Sequence, residues 1–167
     1  MIKNRIDECI ESYVLLQKKK NQNHQEGRFI KKCFTNIHYF KEKDKASQSI
    51  TFHVTINNES IANNEPVIGI GINDQLNNRI ATVMTTFQKN KLTIQPGENE
   101  IVCEVPNCNL AAGEYKVKVA FGDSYKNLEE ISEIHEFEIK SWDYFGTGVI
   151  PNRNQGSILL NANWKIK

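Results

Sequence analysis

The 167-residue sequence has no apolar run near the ~20 residues that a membrane-spanning helix needs. Its first stretch, Met1–Leu16, carries Asp7, Glu8 and Glu11 inside the apolar pattern, which argues against the uninterrupted apolar core of a secretory signal. Charge of one sign is also missing. The formal net charge is +1, so no strong field steers the chain to nucleic acid or to an anionic membrane. Near-neutrality favours an uncharged polymer if the ligand is one. The four cysteines, Cys9, Cys33, Cys103 and Cys108, form no C-x-x-C pair and have no histidine at metal-ligand spacing. Two disulfides are arithmetically open, but the sequence reads better as free thiols in a reducing compartment. No phosphate loop, no G-x-S-x-G elbow and no H-x-x-x-H pair is present. His24, His38, His53 and His135 are scattered, and surface or packing roles suit them better than catalysis. A glycosidase needs two carboxylates facing across a cleft, and nothing in the sequence points to such a pair. An enzyme is therefore the weaker class.

What is present is periodicity of two kinds. Ile2, Ile6, Ile10, Tyr13 and Leu16 recur at three- and four-residue steps, which predicts an amphipathic helix over residues 2–20. Its early acids and its late Lys18, Lys19 and Lys20 suit the helix dipole. Asn21–Gly27 is polar and reads as a linker. From Phe29 onward the period changes to two. Phe52, Val54 and Ile56 alternate with Thr51, His53 and Thr55; Ile68, Ile70 and Ile72 alternate with Gly69 and Gly71. Similar alternation runs through residues 101–105, 115–121 and 136–140, and turn chemistry separates the runs. With further strands near 29–36, 79–86 and 156–161 the count is about eight, which predicts an antiparallel two-sheet sandwich rather than a barrel. The polar stretch 41–48 is expected to be a long Greek-key loop.

Two features bear on binding. Gly69 and Gly71 share the strand face opposite the isoleucines, and a face without side chains makes a shallow trough. Thr51, His53 and Thr55 lie on the non-core face of another strand. If the two strands are neighbours, hydroxyls and an imidazole border a glycine groove, the mixture of flat surface and polar groups that suits a sugar ring. Alternatively, the glycines mark a bulge or a close backbone approach. Trp142, Tyr144 and Phe145 cluster after the strand ending near Lys140, and Tyr125 follows a Gly-Asp turn. These aromatics either stack on sugar C–H faces or cap the open end of the sandwich.

Three blocks, taken in order, resemble a known family. Pro66–Asp74 (PVIGIGIND) resembles its P-x-x-G-I-x-I-x-D strand, and Asn109–Tyr115 (NLAAGEY) its L-x-x-G-x-Y strand start. Ile139–Gly148 (IKSWDYFGTG), followed by Gly156 and Trp164, resembles its D-x-F-G-T/S-G tail. Glu8–Tyr13 (ECIESY) is similar to the V-I-x-x-Y helix that follows an ATPase domain. The family is the C-terminal domain of Wzt-type ATPases of ABC transporters that export O-antigen polysaccharide. Two departures stand out: Asn77-Asn78 has no glycine where one is common, and Ala112 replaces a frequent proline.

The resemblance implies an immunoglobulin-like β-sandwich spanning residues 28–167, with residues 1–27 as helix and linker trailing an ATPase domain. It implies a non-catalytic module that binds a finished polysaccharide and couples that recognition to export. A homodimer formed by exchange of terminal strands, and contact with a transmembrane permease through the full-length protein, are implied as well. No cofactor is expected in this domain, ATP and Mg belonging to the ATPase domain. No nucleic-acid partner and no direct membrane insertion are expected. The location implied is cytoplasmic, peripheral at the inner face of the bacterial inner membrane. Because the family's binding residues vary with the glycan, the candidate carbohydrate-binding set rests on the strand-face argument: Thr51, His53, Thr55, Gly69, Gly71, Tyr125, Trp142 and Tyr144. The competing expectation is an immunoglobulin-like module that binds protein through a sheet edge.

Overall fold

The structure, a computed structural model, describes residues 27–42, 45–59, 65–89, 91–122 and 128–166. The helix expected over residues 2–20 lies outside them. Seven strands are seen among the described residues: β1 (Ile30–Glu42), β2 (Lys45–Asn58), β3 (Val67–Asn73), β4 (Arg79–Met84), β5 (Gly97–Val105), β6 (Gly113–Gly122) and β7 (Leu128–Ile139). They form an antiparallel sandwich of two sheets, one ordered β1-β2-β5 and the other β4-β3-β6-β7. The chain crosses between sheets after β2, β4 and β5, which is Greek-key connectivity of the immunoglobulin-like kind.

The alternating residues explain the layering. Phe52, Val54 and Ile56 of β2 face inward to meet Ile68, Ile70 and Ile72 of β3 and Tyr115, Val117 and Val119 of β6. Phe52 meets Phe137 edge-on across the layers at 5.9 Å between ring centroids, a favoured aromatic geometry.

Each sequence block that carries the resemblance proves to be a piece of scaffold. Tyr115, at the start of β6, donates its hydroxyl to the Ala111 carbonyl at 2.8 Å, a tyrosine corner of the type that fixes such sandwiches. Asp74 closes the β3–β4 turn by accepting from the Leu76 and Asn78 amides at 2.9 and 2.8 Å. Asn77 there adopts φ 64°, a left-handed conformation asparagine tolerates, so the missing glycine does no harm. Asp143 accepts from the Thr147 and Gly148 amides at 3.0 and 2.9 Å, and Gly146 and Gly148 take φ of 69° and 82° to make that loop turn.

Two expectations need correction. Residues 41–48 are not a long loop: β1 and β2 continue as a hairpin, with Lys41 paired to Ala46 and Glu42 to Lys45. A ribbon that runs past the core needs no apolar face, so the alternation vanishes while the ladder continues. The strand expected near 156–161 is a single bridge between Leu110 and Ile158.

One contact ties the sheets together where β1 begins. The Glu129 carboxylate, on β7, accepts from three successive backbone amides: Arg28, then Phe29 and Ile30, the last two at 2.8 Å each.

Candidate functional site

The outer face of the three-stranded sheet is organised in rows by the strand register. Lys32, Thr55 and Glu100 form one row, Phe34, His53 and Val102 the next, and Asn36, Thr51 and Glu104 the third. Inward neighbours Cys33, Phe52, Val54 and Ile56 are fully buried, which forces these residues outward. In the central row the Phe34 and His53 rings are stacked, with centroids 4.3 Å apart and 6° between their planes. Val102 continues the row and is 51% exposed.

His53 is held on both sides. Its Nδ1 lies 2.9 Å from Glu100 Oε1 and its Nε2 lies 3.4 Å from Asn36 Nδ2. Since a carboxylate only accepts, Nδ1–H donates to Glu100 and Nε2 accepts from Asn36. The ring is thereby locked flat on Phe34. Lys32 Nζ lies over the Phe34 ring, 5.7 Å from its centroid. The result is a plate-like sheet face with a rigid, stacked aromatic pair at its centre and threonine hydroxyls, an amide and carboxylates around it. Phe34, Asn36, Val102, Glu100 and Glu104 were not singled out from sequence. In residues 30–40 both alternating sets contain apolar residues, so periodicity leaves the outward face of β1 undecided.

The glycines do not join this plate. Gly69 and Gly71 lie on β3, in the other sheet, so the groove expected between them and Thr51, His53 and Thr55 does not form. Nor is the glycine face open. A Cβ on Gly69 would touch the Met84 side chain at 3.5 Å, and a Cβ on Gly71 would run into the Arg79 guanidinium. Arg79 fills the trough, donating to Thr82 Oγ1 at 3.1 Å. The close-approach reading of the glycines is the one the structure supports. Beside them, Lys116 meets Glu133 at 2.9 Å and Lys118 meets Glu130 at 2.5 Å. The lysine beside it holds the Glu133 carboxyl below its ordinary range.

Trp142 and Tyr144 also lie elsewhere. Tyr144 is buried against Ala111 and Leu159 with Trp142 packed on it, and Tyr39 meets Trp142 edge-on at 5.2 Å. Burial, with Cys108 nearby, pushes the Tyr144 hydroxyl up. These aromatics cap one end of the sandwich. Tyr125 lies outside the described residues.

At the β5 border the plate gives way to an apolar cleft of about 250 Å³ between β5 and β4, lined by Ile68, Ile70, Met84, Leu92, Ile101 and Cys103, with Val102 and Glu104 at its rim. Burial, and then the Glu104 carboxylate beside it, pushes the Cys103 thiol up. Both strands are sheet edges. Among the described residues no group of His, Cys, Asp and Glu is placed to hold a metal ion, and no helix is long and apolar enough to cross a membrane.

Known proteins place this geometry. A model of the Wzt C-terminal domain matches residues 31–151. A crystal structure of the C-terminal domain of Wzt superposes with a TM-score of 0.54, covering 88% of this chain and 92% of that one at 14% identity; that likeness is one of fold. Beta-glucosidase 3B from Thermotoga neapolitana, solved with alpha-D-glucose, is 19% identical over 64% of this chain and 17% of its own, with a TM-score of 0.24, too poor a superposition to carry an argument. No curated protein matches the chain.

Proposed function

Because the chain belongs to the Wzt C-terminal domain family, a domain associated with O-antigen ABC transporters, we propose that it binds a bacterial surface polysaccharide without altering it and couples that recognition to export. The plate on β1-β2-β5 is the binding surface. The observation that carries this reading is the parallel Phe34–His53 pair, fixed by Asn36 and Glu100 and bordered by Thr51 and Thr55. A sugar ring has an apolar C–H face and a rim of hydroxyls. The edges of the stacked rings and the Val102 side chain offer the first an apolar contact; the hydroxyls, amide and carboxylates offer the second donors and acceptors.

An exposed flat plate desolvates few groups, so a single domain binds weakly, with a Kd of roughly micromolar to millimolar. Two domains in a homodimer raise the avidity through effective concentration. Beyond Leu159 the chain carries exposed Leu160 and a Trp164 that is 94% exposed, which supports a dimer in which a second copy covers this arm. In the full-length protein, residues 1–27 join this module to an ATPase domain that carries ATP and Mg. The permease then holds the assembly at the inner face of the inner membrane.

The test is calorimetric titration of the purified domain with surface polysaccharide extracted from the source cells. Phe34→Ala and His53→Ala are each expected to weaken binding by at least about tenfold, as loss of a stacking partner does. Gly69→Ala is expected to leave affinity unchanged. Full affinity in both platform variants would remove this face as the site. A second reading, a protein-binding module, draws support from the two sheet edges flanking the apolar cleft, which have no strand partner among the described residues and suit an added strand. It gains if the polysaccharide gives no heat while a chain of the transporter co-purifies with the domain through β5.

A further inference from the structure

The platform is chemically lopsided. Its β1 side presents Lys32, Phe34, Asn36 and His38; its β5 side presents Glu98, Glu100, Val102 and Glu104, all exposed. Three carboxylates thus border one long side, against the single Lys32 ammonium on the other. Glu100 is not free to turn away, because it holds His53 at 2.9 Å. Glu104 stands four residues further on the same face, about 13 Å along the strand at ~3.3 Å per residue. Between them only Val102 intervenes. A chain lying along the central row therefore crosses Val102 between two carboxylates, one of them held in place by His53. The net charge of the whole chain, +1, supplies no opposing long-range field.

We propose that the site is selective for an uncharged, hydroxyl-rich polysaccharide and that Glu100 and Glu104 are the residues that enforce this. The inference rests on the platform being the glycan site. Ionised carboxylates are strong acceptors for sugar hydroxyls, since charge-assisted hydrogen bonds are about twice as strong as neutral ones. The same two groups repel uronates, sialates and phosphates. Like charges opposed across a contact reject the wrong partner more effectively than good contacts select the right one. Attraction to neutral glycans and exclusion of acidic ones thus come from the same oxygen atoms.

The experiment uses one neutral probe and its charged derivative: the neutral fraction of the source cells' surface polysaccharide, isolated by anion exchange, and the same material succinylated to add carboxylates. The native acidic fraction is titrated beside them. Wild type is expected to bind the neutral fraction at least about tenfold tighter than the succinylated one at low ionic strength. The double variant Glu100→Gln, Glu104→Gln keeps the shape and the acceptor oxygens but loses the charge, so the gap is expected to close to within about threefold; about 1 M salt, with a Debye length near 3 Å, does the same in wild type. A gap that survives in the double variant, or equal wild-type affinity for the acidic fraction, overturns the inference while leaving the platform as a glycan site. Binding to the neutral fraction that Phe34→Ala does not weaken removes the platform itself. No binding of any fraction removes the glycan reading.

Discussion

The two outer faces of this sandwich are made by the same rule and end in opposite conditions. On β1-β2-β5 the outward residues are, apart from Val102, polar or aromatic, and among the described residues Phe34, Asn36, Thr51, His53, Thr55, Glu100, Val102 and Glu104 are all at least partly exposed. On β4-β3-β6-β7 the outward glycines of β3 are covered by Met84 and Arg79, and the neighbouring lysines are matched to glutamates on β7. One face leaves its hydrogen-bonding capacity available; the other satisfies it internally. A missing side chain therefore does not make a groove when a neighbouring long side chain can lie in the gap.

That contrast can be attacked in order of force. Phe52→Ala, on the inward side of the strand that displays His53, removes a fully buried ring that joins the layers. It is expected to lower stability by about 3–5 kcal/mol, measured by urea unfolding, and to erase both faces together. Glu129→Ala leaves the amides of Phe29 and Ile30, both partly or fully buried, without their acceptor. A loss of about 2–4 kcal/mol is expected from these charge-assisted bonds, with the amides of residues 28–30 exchanging faster in deuterium exchange. Gly69→Ala adds a methyl that fits at ordinary contact distance from Met84, so the closed face is expected to gain up to about 1 kcal/mol with no change in glycan affinity. A clear loss of stability there would show that the glycine face is tighter than described.

The mildest probe is pH. Burial, with Cys103 nearby, pushes the Cys33 thiol up to about 12. The unfolded chain ionises near the ordinary value of 9.0, so it binds fewer protons than the folded chain from there upward. The stability contributed by the protonated thiol is whole below about pH 9 and is lost as pH rises toward about 12. Cys33→Ala is expected to flatten that part of the alkaline decline in melting temperature relative to wild type. Below pH 9 the native thiol is expected to resist alkylation.

Much of the fold was legible because alternation survives wherever one face is buried: Phe52, Val54 and Ile56, and Ile68, Ile70 and Ile72, were assigned inward and are inward. It failed where register changes. In β7 the buried residues are Ile131, Ile134, Phe137 and Ile139, a spacing that mixes three with two. The cause is an irregularity opposite Val117–Val119, with Glu133 at φ 57°, which turns the strand over locally. The family blocks were legible for a different reason. They are turns and a tyrosine corner, whose backbone demands fix the residue type. The plate makes no such demand. Any outward residue is compatible with the sheet, so its composition leaves no pattern in the chain. The outward placement of Thr51, His53 and Thr55 was legible because they alternate with strong core residues. Their supposed partners were misplaced because sequence order does not tell which sheet a crossing strand joins.

The clasp made by Glu129 has a mechanical corollary. Hydrogen bonds along a ladder yield one after another when a strand is peeled from its end, whereas bonds gathered at one point yield together. The start of β1 is gripped at three adjacent amides by a side chain from the opposite layer. A pull applied at Gly27 is thus delivered to both sheets at once instead of peeling that strand from its end.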